Sequence, residues 1–272
     1  MKITVIIPTY KPKDYLWECL NSLVRQTLSK NCFEVIIVLN GCAEPWKSQV
    51  EDFINCNMQG VDVNFIYTEM GGVSNARNIA LDIAKGDYIT FLDDDDYLSP
   101  RALEEMFSLA SPDLVVGCYP SAFNDGTDEQ IPYGLTKLYD YCINLESLRL
   151  NSKARKFFSG PCMKLIPVTC IGDRRFNTQF ANGEDSIFMF LISDKIDQIV
   201  LTSKDAIYYR RFRPNSAVTK KRGTKERIIN NYRSIKEYIR IFSKGGYSLY
   251  FFITRILAEL RGIIMAPINS KK

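Results

Sequence analysis

The stretch GGVSNARNIALDIAKGDYITFLDDDDYL (residues 71–98) contains two elements of regular structure and ends in an acidic run. Apolar residues recur at helical spacing across 72–86, which predicts a helix that begins beside the glycine pair. Residues 88–93, YITFLD, are almost continuously apolar, which is typical of a parallel strand covered on both faces. The stretch therefore predicts a buried strand whose carboxyl end carries four consecutive aspartates, residues 93–96.

The sequence before this stretch alternates in the same way. Residues 3–10 and 33–41 are β-branched runs that end in turn residues, and leucines at helical spacing occupy 14–27 between them. Further strand-like runs lie at 63–69 and 113–120. This alternation predicts an α/β fold built on a parallel sheet.

Three polar loops follow predicted strands, at residues 8–10, 39–41 and 93–96. Ligands of doubly wound sheets bind beyond the carboxyl ends of the strands. Because all three loops lie at such ends, we expect them to converge on one cleft.

The second half of the chain is less regular. Residues 121–156 are polar and predict a loop with one or two helices, and 157–218 predict short strands, a loop containing NGEDS (182–186) and a helix after it. The sequence from Gly223 onward predicts helices.

Four adjacent carboxylates allow two interpretations. Asp95 or Asp96 could cap a helix that begins near Pro100, because aspartate is common at helix N-termini. Crowded like charges, however, raise each other's pKa unless a cation neutralises them. A divalent cation with oxygen ligands, Mg²⁺ or Mn²⁺, would do so.

The glycine pair and the residues Asn75, Arg77 and Asn78 lie at the predicted start of a helix and could face a phosphate. A solvated arginine beside a glycine-rich turn is the alternative. The stretch is neither a P-loop nor a dinucleotide-binding fingerprint, because it has no Gly-Lys-Ser/Thr and no G-x-G-x-x-G.

Composition limits the chemistry. The chain has 272 residues, 46% of them hydrophobic and 24% charged, which predicts one large folded domain or a domain with an appendage. It has no histidine, so any general base is expected to be Asp or Glu. Its eight cysteines form no C-x-x-C pair, and we expect all of them to be buried, reduced residues in a cytoplasmic protein.

Charge divides the chain. Residues 1–203 carry 18 Lys and Arg against 27 Asp and Glu, whereas 204–272 carry 17 against 4, so the net charges are −9 and +13. The tail 221–272 is either a helical cap on the domain or a basic amphipathic segment on the membrane surface. Three charged residues in its apolar part make a spanning helix improbable, and the acidic domain disfavours nucleic acid as a partner.

Four stretches together resemble family 2 glycosyltransferases, the inverting nucleotide-sugar enzymes of the GT-A fold. These stretches are VIIPTYKPKDYLWECLNSLVRQT (5–27), GGVSNARNIALDIAKGDYITFLDDDDYL (71–98), NGEDS (182–186) and YYRRFRPNSAVT (208–219). The resemblance implies a GT-A domain over 1–220, with a Rossmann-like mixed sheet flanked by helices. It also implies transfer of a sugar from a nucleotide donor to a saccharide or lipid-linked glycan in polysaccharide synthesis.

The resemblance also implies roles for individual residues. Asp93 and Asp95 form the D-x-D element that holds Mn²⁺ or Mg²⁺, with Asp93 nearer the ribose, and Asp185 is the catalytic base with Glu184 on the acceptor side. The nucleotide-binding residues are Pro8, Thr9, Tyr10, Asn40, Arg77, Asp93, Asp94 and Arg211. Arg210, Arg211 and Arg213, with Ser216, match a loop that closes over the pyrophosphate. Lys164 lies in a segment that borders the acceptor site.

One departure from the family pattern leaves alternatives open. Leu39 occupies the position at which many members have the aspartate that recognises uracil. Asn40 or a backbone group would take over the role of that aspartate. UDP is therefore the commonest expectation for the donor nucleotide and not the only one. A non-catalytic sugar-nucleotide-binding or assembly module with the same fold is the alternative function. A homodimer, and a location on the inner face of the cell membrane, are further expectations.

Overall fold

The computed structural model describes residues 2–127, 129–145, 148–150, 152–196, 198–213 and 223–269. The strands in this part of the chain are β1 (Ile3–Thr9), β2 (Phe33–Asn40), β3 (Asp62–Thr68), β4 (Tyr88–Phe91), β5 (Tyr97–Leu98), β6 (Leu114–Gly117), β7 (Tyr119–Asn124), β8 (Leu148–Arg149), β9 (Lys164–Pro167), β10 (Gln198–Leu201) and β11 (Ile207–Phe212). The predicted boundary at 220/221 and Ser216 lie outside the described residues.

The α-helices of the described residues alternate with the strands in the first half of the chain and cluster at its end. They are α1 (Tyr15–Val24), α2 (Trp46–Asn57), α3 (Val73–Ile83), α4 (Ala102–Ser108), α5 (Gly134–Cys142), α6 (Val168–Ile171), α7 (Glu184–Leu191), α8 (Thr224–Phe242) and α9 (Leu249–Asn269). Short 3-10 helices occupy Lys30–Cys32, Lys153–Ser159 and Ser193–Lys195.

The central sheet has eight strands in the order β3-β2-β1-β4-β9-β6-β10-β8. β1 lies parallel to β2 and β4, with Ile3 opposite Phe33 on one side and Tyr88 on the other. β9 runs antiparallel to both of its neighbours, so the sheet is mixed. All residues of β1, β2 and β4 are buried, as the apolar runs predict.

Hydrophobic residues on the two faces of this sheet form two clusters. Along β1, Ile6 joins the cluster beneath α3 and α7, whereas Val5 and Ile7 join the cluster beneath α1 and α4. This alternation is the two-residue period of a strand. It makes the central strands the middle layer of a helix–sheet–helix arrangement.

A second sheet has three strands in the order β5-β11-β7 and begins directly after the acidic run. The expectation of one strand over 113–120 is wrong, because the chain leaves the central sheet at Gly117 and enters this second sheet at Tyr119. Sequence periodicity cannot separate the two strands, since both are apolar and buried.

One helix was missed, and one expectation about the cysteines needs correction. α2 was not predicted, because Val50 is its one buried residue and its sequence has little apolar periodicity. All eight cysteines are free, but Cys56 is exposed and Cys32, Cys42 and Cys162 are half-buried. The expectation that all cysteines are buried is therefore wrong for these positions.

The predicted helical tail consists of α8 and α9, which pack on each other and on α7. Tyr238 and Ile241 of α8 and Phe251 of α9 are fully buried in the same cluster as α7. None of the described helices is both long and apolar enough to cross a bilayer.

Candidate active site

A cleft of about 1000 Å³ opens at the carboxyl ends of β1, β2 and β4. The predicted catalytic, metal-binding and nucleotide-binding residues line this cleft, namely Pro8, Thr9, Tyr10, Asn40, Arg77, Asp93, Asp94, Asp95, Glu184, Asp185 and Arg211. Asn75 and Asn78 do not line it; their side chains donate to the Met70 and Phe176 carbonyls. The three polar loops therefore converge as expected. Their individual roles stay predictions.

The last aspartate of the acidic run joins the two sheets. Asp96 is 4% exposed and accepts hydrogen bonds from the Tyr208 hydroxyl at 2.7 Å and the Arg211 backbone N–H at 2.8 Å. Burial raises the pKa of Asp96 well above its usual range, and the neighbouring carboxylates of Asp95 and Asp93 add to this rise. The interpretation of Asp96 as a helix cap is wrong, because its oxygens face β11 rather than α4.

Asp94 contacts the end of β1. Its Oδ2 accepts a hydrogen bond of 2.6 Å from the Thr9 hydroxyl. Burial raises the pKa of Asp94 to about 7; the Thr9 hydrogen bond opposes this rise, whereas the charges of Asp95 and Asp93 add to it. Asp94 thus links the acidic turn to the first polar loop.

Asp93, Asp95 and Asp96 each offer a carboxylate oxygen within 4.8 Å of the other two. An all-oxygen set of this kind fits Mg²⁺ or Mn²⁺. At present Arg213 neutralises Asp95, with its Nε 2.6 Å from Oδ2. Burial and Asp93 raise the pKa of Asp95, and Arg213 opposes that rise.

Arg77 lies between the acidic run and the loop that contains NGEDS. Its Nη2 is 2.9 Å from Oδ1 of Asp93, and its Nη1 is 2.5 Å from Oδ1 of Asp185. The guanidinium, 3% exposed, packs against the rings of Phe91 and Phe176. Burial alone would lower the pKa of Arg77, but the charges of Asp185 and Asp93 outweigh it and raise that pKa.

Glu184 and Asp185 form the first turn of α7. The turn before them depends on Gly183, whose φ of +81° is a left-handed conformation that glycine adopts without steric cost. Burial and the charge of Asp185 raise the pKa of Glu184 to about 7. Burial also raises the pKa of Asp185, while Arg77 opposes the rise. Both carboxylates complement the helix dipole at this position.

Helix α8 holds this loop from behind. The Asn230 side chain donates a hydrogen bond of 3.2 Å to the Asn182 carbonyl, and the Tyr238 and Ser186 hydroxyls lie 2.8 Å apart. Sequence reasoning missed these contacts, since nothing local to α8 indicates its partner. The predicted tail therefore contacts the candidate catalytic loop directly.

Asn40 connects the loops on the other side of the cleft. It is 3% exposed. Its side chain donates a hydrogen bond of 2.7 Å to the Thr9 carbonyl and accepts one of 2.9 Å from the Gly72 backbone N–H. Its amide thus ties β1, β2 and the start of α3 together. Tyr10 beside it is 53% exposed at the mouth of the cleft.

The three arginines at the end of β11 have different partners. Arg210 donates a hydrogen bond of 2.8 Å to the Tyr133 hydroxyl, and Arg213 forms an ion pair with Asp95. The Arg211 guanidinium pairs with Glu18 and with Asp125, the latter at 3.0 Å, and only 9% of the side chain is exposed. Both Arg211 and Arg213 contact the acidic run: Nε of Arg211 donates a hydrogen bond of 2.9 Å to the Asp95 carbonyl, and Arg213 pairs with the Asp95 carboxylate.

Lys164, which the resemblance places beside the acceptor site, is 3% exposed. Its Nζ donates hydrogen bonds of 2.7 Å to the Gly160 carbonyl and to the Cys162 carbonyl. Burial lowers the pKa of Lys164 to about 8. Ser159, one residue before Gly160, lines the cleft, so Lys164 supports this wall from beneath.

The sequence model of glycosyl transferase family 2 matches residues 4–175, more than half of the chain. The chain belongs to glycosyl transferase family 2. The matched range includes β1, the Arg77 helix and the acidic run. The resemblance identified from the four sequence stretches is therefore confirmed.

Two curated members of family 2 are similar to this chain. The poly(ribitol-phosphate) β-N-acetylglucosaminyltransferase TarS of Staphylococcus aureus is 36% identical over 105 residues, which are 39% of this chain and 18% of that protein. The poly(ribitol-phosphate) β-glucosyltransferase of Bacillus spizizenii is 28% identical over 77% of this chain and 32% of its own length. The chain thus spans a third or less of these family 2 relatives.

A solved family 2 structure has the same fold. The crystal structure of S. aureus TarS 1–349 in complex with UDP-GlcNAc matches 96% of this chain and 72% of that chain, with a TM-score of 0.73 and 20% identity. The predicted GT-A fold, a mixed sheet flanked by helices with a helical C-terminal end, is confirmed.

Proposed function

We propose that this chain transfers a sugar, with inversion, from a nucleotide-diphosphate donor to a hydroxyl of a glycan or lipid-linked acceptor in polysaccharide synthesis. The observation that carries the proposal is the position of Arg77, which joins the acidic run to Asp185 across one cleft. UDP is the donor nucleotide proposed, because the similar TarS structure contains UDP-GlcNAc. Both relatives act on poly(ribitol-phosphate), which supports an acceptor from a surface polymer.

The reaction is one displacement in this proposal. The acceptor oxygen attacks the anomeric carbon, the bond from that carbon to the diphosphate oxygen breaks, and the nucleoside diphosphate departs with the electron pair. Asp185 takes the proton of the attacking hydroxyl. A carboxylate suffices for this step, and general-base help contributes roughly 10²–10⁴ in rate.

Asp185 suits this role because Arg77 holds its carboxylate in place and favours the ionised form. Glu184 has a pKa near neutrality and lies next to Asp185, so it is assigned to the acceptor side. If Asp185→Asn retained turnover, the base would be Glu184.

Metal dependence is part of the proposal. Asp93 and Asp95 would hold Mg²⁺ or Mn²⁺, with Asp96 near enough to contribute an oxygen. The bound cation would neutralise charge on the departing diphosphate. The guanidinium of Arg213 already neutralises Asp95 in the same place, and we propose that it turns towards the diphosphate when the site is loaded.

The remaining proposals concern the surroundings of the protein. We propose that it works on the cytoplasmic side of the cell membrane, in peripheral contact with that membrane. A homodimer is also proposed, through a surface other than α9.

The deciding experiment measures UDP release from a panel of UDP-sugars in the presence of Mn²⁺. Slow release from one donor, absent in Asp185→Asn, supports a transferase. Tight, metal-dependent nucleotide binding without release from any donor would favour the non-catalytic binding module instead.

A further inference from the structure

An exposed apolar stripe runs along α9. Its side chains are between 42% and 69% exposed, and from Tyr250 onward they recur every three or four residues; they are Leu249, Tyr250, Ile253, Leu257, Leu260 and Ile264. This spacing places them on one face of the helix. Exposed apolar side chains that lie side by side, rather than scattered singly over the surface, mark an interaction site.

The opposite face of α9 is already in the core. Phe251 is fully buried in the cluster around α7, and the Arg255 guanidinium donates to the Phe158 carbonyl. Ala266 is also fully buried. The orientation of α9 is therefore fixed by packing, and the stripe faces outward.

Helix α8 continues this outward surface with a mixture of apolar and basic side chains. Ile229, Tyr232 and Ile239 are each about half exposed, and Lys225 and Lys236, which share their helical spacing, are exposed beside them. The buried residues of α8, by contrast, join the same cluster as those of α9. We call the outward side of α8 and α9 the hairpin face.

Charge decides which partner this face fits. Residues 223–269 contain eight Lys and Arg against three Asp and Glu, a net charge of +5. One of the three acids, Glu237, already pairs with Arg240 at 2.6 Å. Arg255 lies in the core and is not part of this face, but Lys225 and Lys236 are, so a symmetric contact with a second copy of this chain would bring two basic faces together. An anionic lipid surface attracts the basic residues and accepts the apolar stripe between its headgroups.

We propose that the hairpin face docks on the surface of a bilayer that carries anionic headgroups. The helix lies in the interface with its stripe inserted, and its length of about 30 Å runs along the surface. Because α8 also contacts the Asn182–Ser186 loop, docking holds the candidate catalytic loop close to the bilayer. The biological meaning, access to a lipid-linked acceptor, rests on the proposed function, whereas lipid binding itself does not.

Vesicle sedimentation tests this with the full chain. Vesicles of phosphatidylcholine mixed with phosphatidylglycerol should bind the protein, and vesicles of phosphatidylcholine alone should bind it at least about tenfold less. High salt should weaken the binding. Leu260→Glu should reduce it by about tenfold or more, because a charge replaces an inserted side chain. Lys225→Glu and Lys236→Glu should each reduce it at least about fivefold, because each variant removes a positive charge and adds a negative one.

The matched control is Leu109→Glu, since Leu109, directly after α4, is 41% exposed and Leu260 is 42% exposed. Leu109→Glu should bind vesicles as the unmodified chain does. Equal binding by Leu260→Glu, or no binding of the unmodified chain to the mixed vesicles, would overturn the proposal. A dimer in sedimentation velocity that Leu260→Glu abolishes, without vesicle binding, would assign the face to a second copy instead.

Failure of the enzyme proposal would be separately visible. Asp185→Asn should bind vesicles fully, and UDP release in the absence of vesicles reports on the chemistry alone. Thermal unfolding of each variant checks that it is folded, and the two lysine variants keep the test valid should Leu260→Glu fail to fold.

Discussion

Arg77 forms an ion pair with Asp185, 108 residues away in sequence, with 2.5 Å between Nη1 and Oδ1. The other end of the same guanidinium contacts Asp93. One buried cation therefore fixes the distance between the acidic run and Asp185, the proposed metal and base sides of the cleft. Proper positioning of this kind is a large part of what an enzyme contributes to a displacement reaction.

Asp185→Asn should abolish sugar transfer while nucleotide binding persists. The amide keeps the shape of the side chain but cannot accept a proton, so UDP release should fall by roughly 10²–10⁴. Calorimetric titration with UDP and Mn²⁺ should give a dissociation constant within about threefold of the unmodified value.

The control for this variant is Asp173→Asn, which changes an exposed carboxylate outside the cleft. It should leave both measurements unchanged. Turnover retained by Asp185→Asn would contradict its assignment as the base.

Arg77→Lys should keep the positive charge but lose the bridge, because an ammonium is a point charge and cannot span two carboxylates as a guanidinium does. We expect turnover to fall at least about tenfold, since the Asp185 carboxylate, the proposed base, is no longer held in its position. Single-turnover kinetics with saturating donor measure this loss.

Arg77→Met separates geometry from charge. It leaves Asp93 and Asp185 facing each other without a cation, which should cost about 2–4 kcal/mol of unfolding free energy. The lower part of that range is favoured because the two carboxylates are 39% and 34% exposed. Urea unfolding measures the change, and equal stability of Arg77→Lys and Arg77→Met would contradict the ion-pair account.

The cleft could be predicted from the sequence because it depends on local patterns. Buried strands with polar ends and a helix beginning at a glycine pair place residues 8–10, Arg77 and the acidic run at one edge of the sheet. The separate duties of the four aspartates could not be predicted. Asp96 differs from the other three because it accepts a hydrogen bond from Tyr208, 112 residues later in the chain. The sequence near either residue does not predict that contact.

Removal of the metal should abolish nucleotide affinity. With chelator present, calorimetry should show loss of UDP binding, and Mn²⁺ or Mg²⁺ should restore it, because phosphates and four clustered carboxylates otherwise repel each other. Asp95→Ala should lose the metal-dependent part of binding even with excess Mn²⁺.

Asp173→Asn is again the control, since Asp173 is an exposed acidic residue outside the cleft and outside the proposed ligand set. It should retain metal-dependent binding. UDP affinity that is unaffected by chelator would remove metal dependence from the proposal.

Stability should rise with pH through the titration of Lys164. Its pKa is lowered to about 8 from an ordinary value of 10.5, so between these values the unfolded chain binds more protons than the folded one. Stability therefore increases from about pH 8 to pH 10, by about 3 kcal/mol at most from this group. Below pH 8 the buried charge imposes its full cost.

Chemical unfolding of the unmodified chain and of Lys164→Met across this range measures the effect. Cysteines and tyrosines titrate in both proteins, so the difference between the two unfolding free energies isolates the lysine. The unfolding free energy of the unmodified chain should increase relative to that of Lys164→Met as the pH rises. A difference independent of pH would contradict the lowered pKa.

The tail shows where periodicity stops being informative. Helical spacing predicts α8 and α9, and their positive charge indicates contact with a membrane surface. Only the folded chain reveals that Asn230 and Tyr238 contact the loop beside Asp185. A helix face that packs on a distant loop has the same apolar period as one that packs on a neighbouring helix.

Tyr238→Phe should lower the rate of transfer without changing donor affinity. The variant keeps the buried ring against Phe190 but loses the contact between the Tyr238 and Ser186 hydroxyls, next to the candidate base. We expect a loss of about 1 kcal/mol in unfolding free energy and about a three- to tenfold fall in kcat, with KM for the donor unchanged. Tyr139→Phe is the matched control, because Tyr139 is equally buried and its hydroxyl donates to the Thr202 carbonyl away from the cleft. It should lose similar stability but keep kcat, whereas an equal fall in kcat for both variants would mean that Tyr238 acts through stability alone.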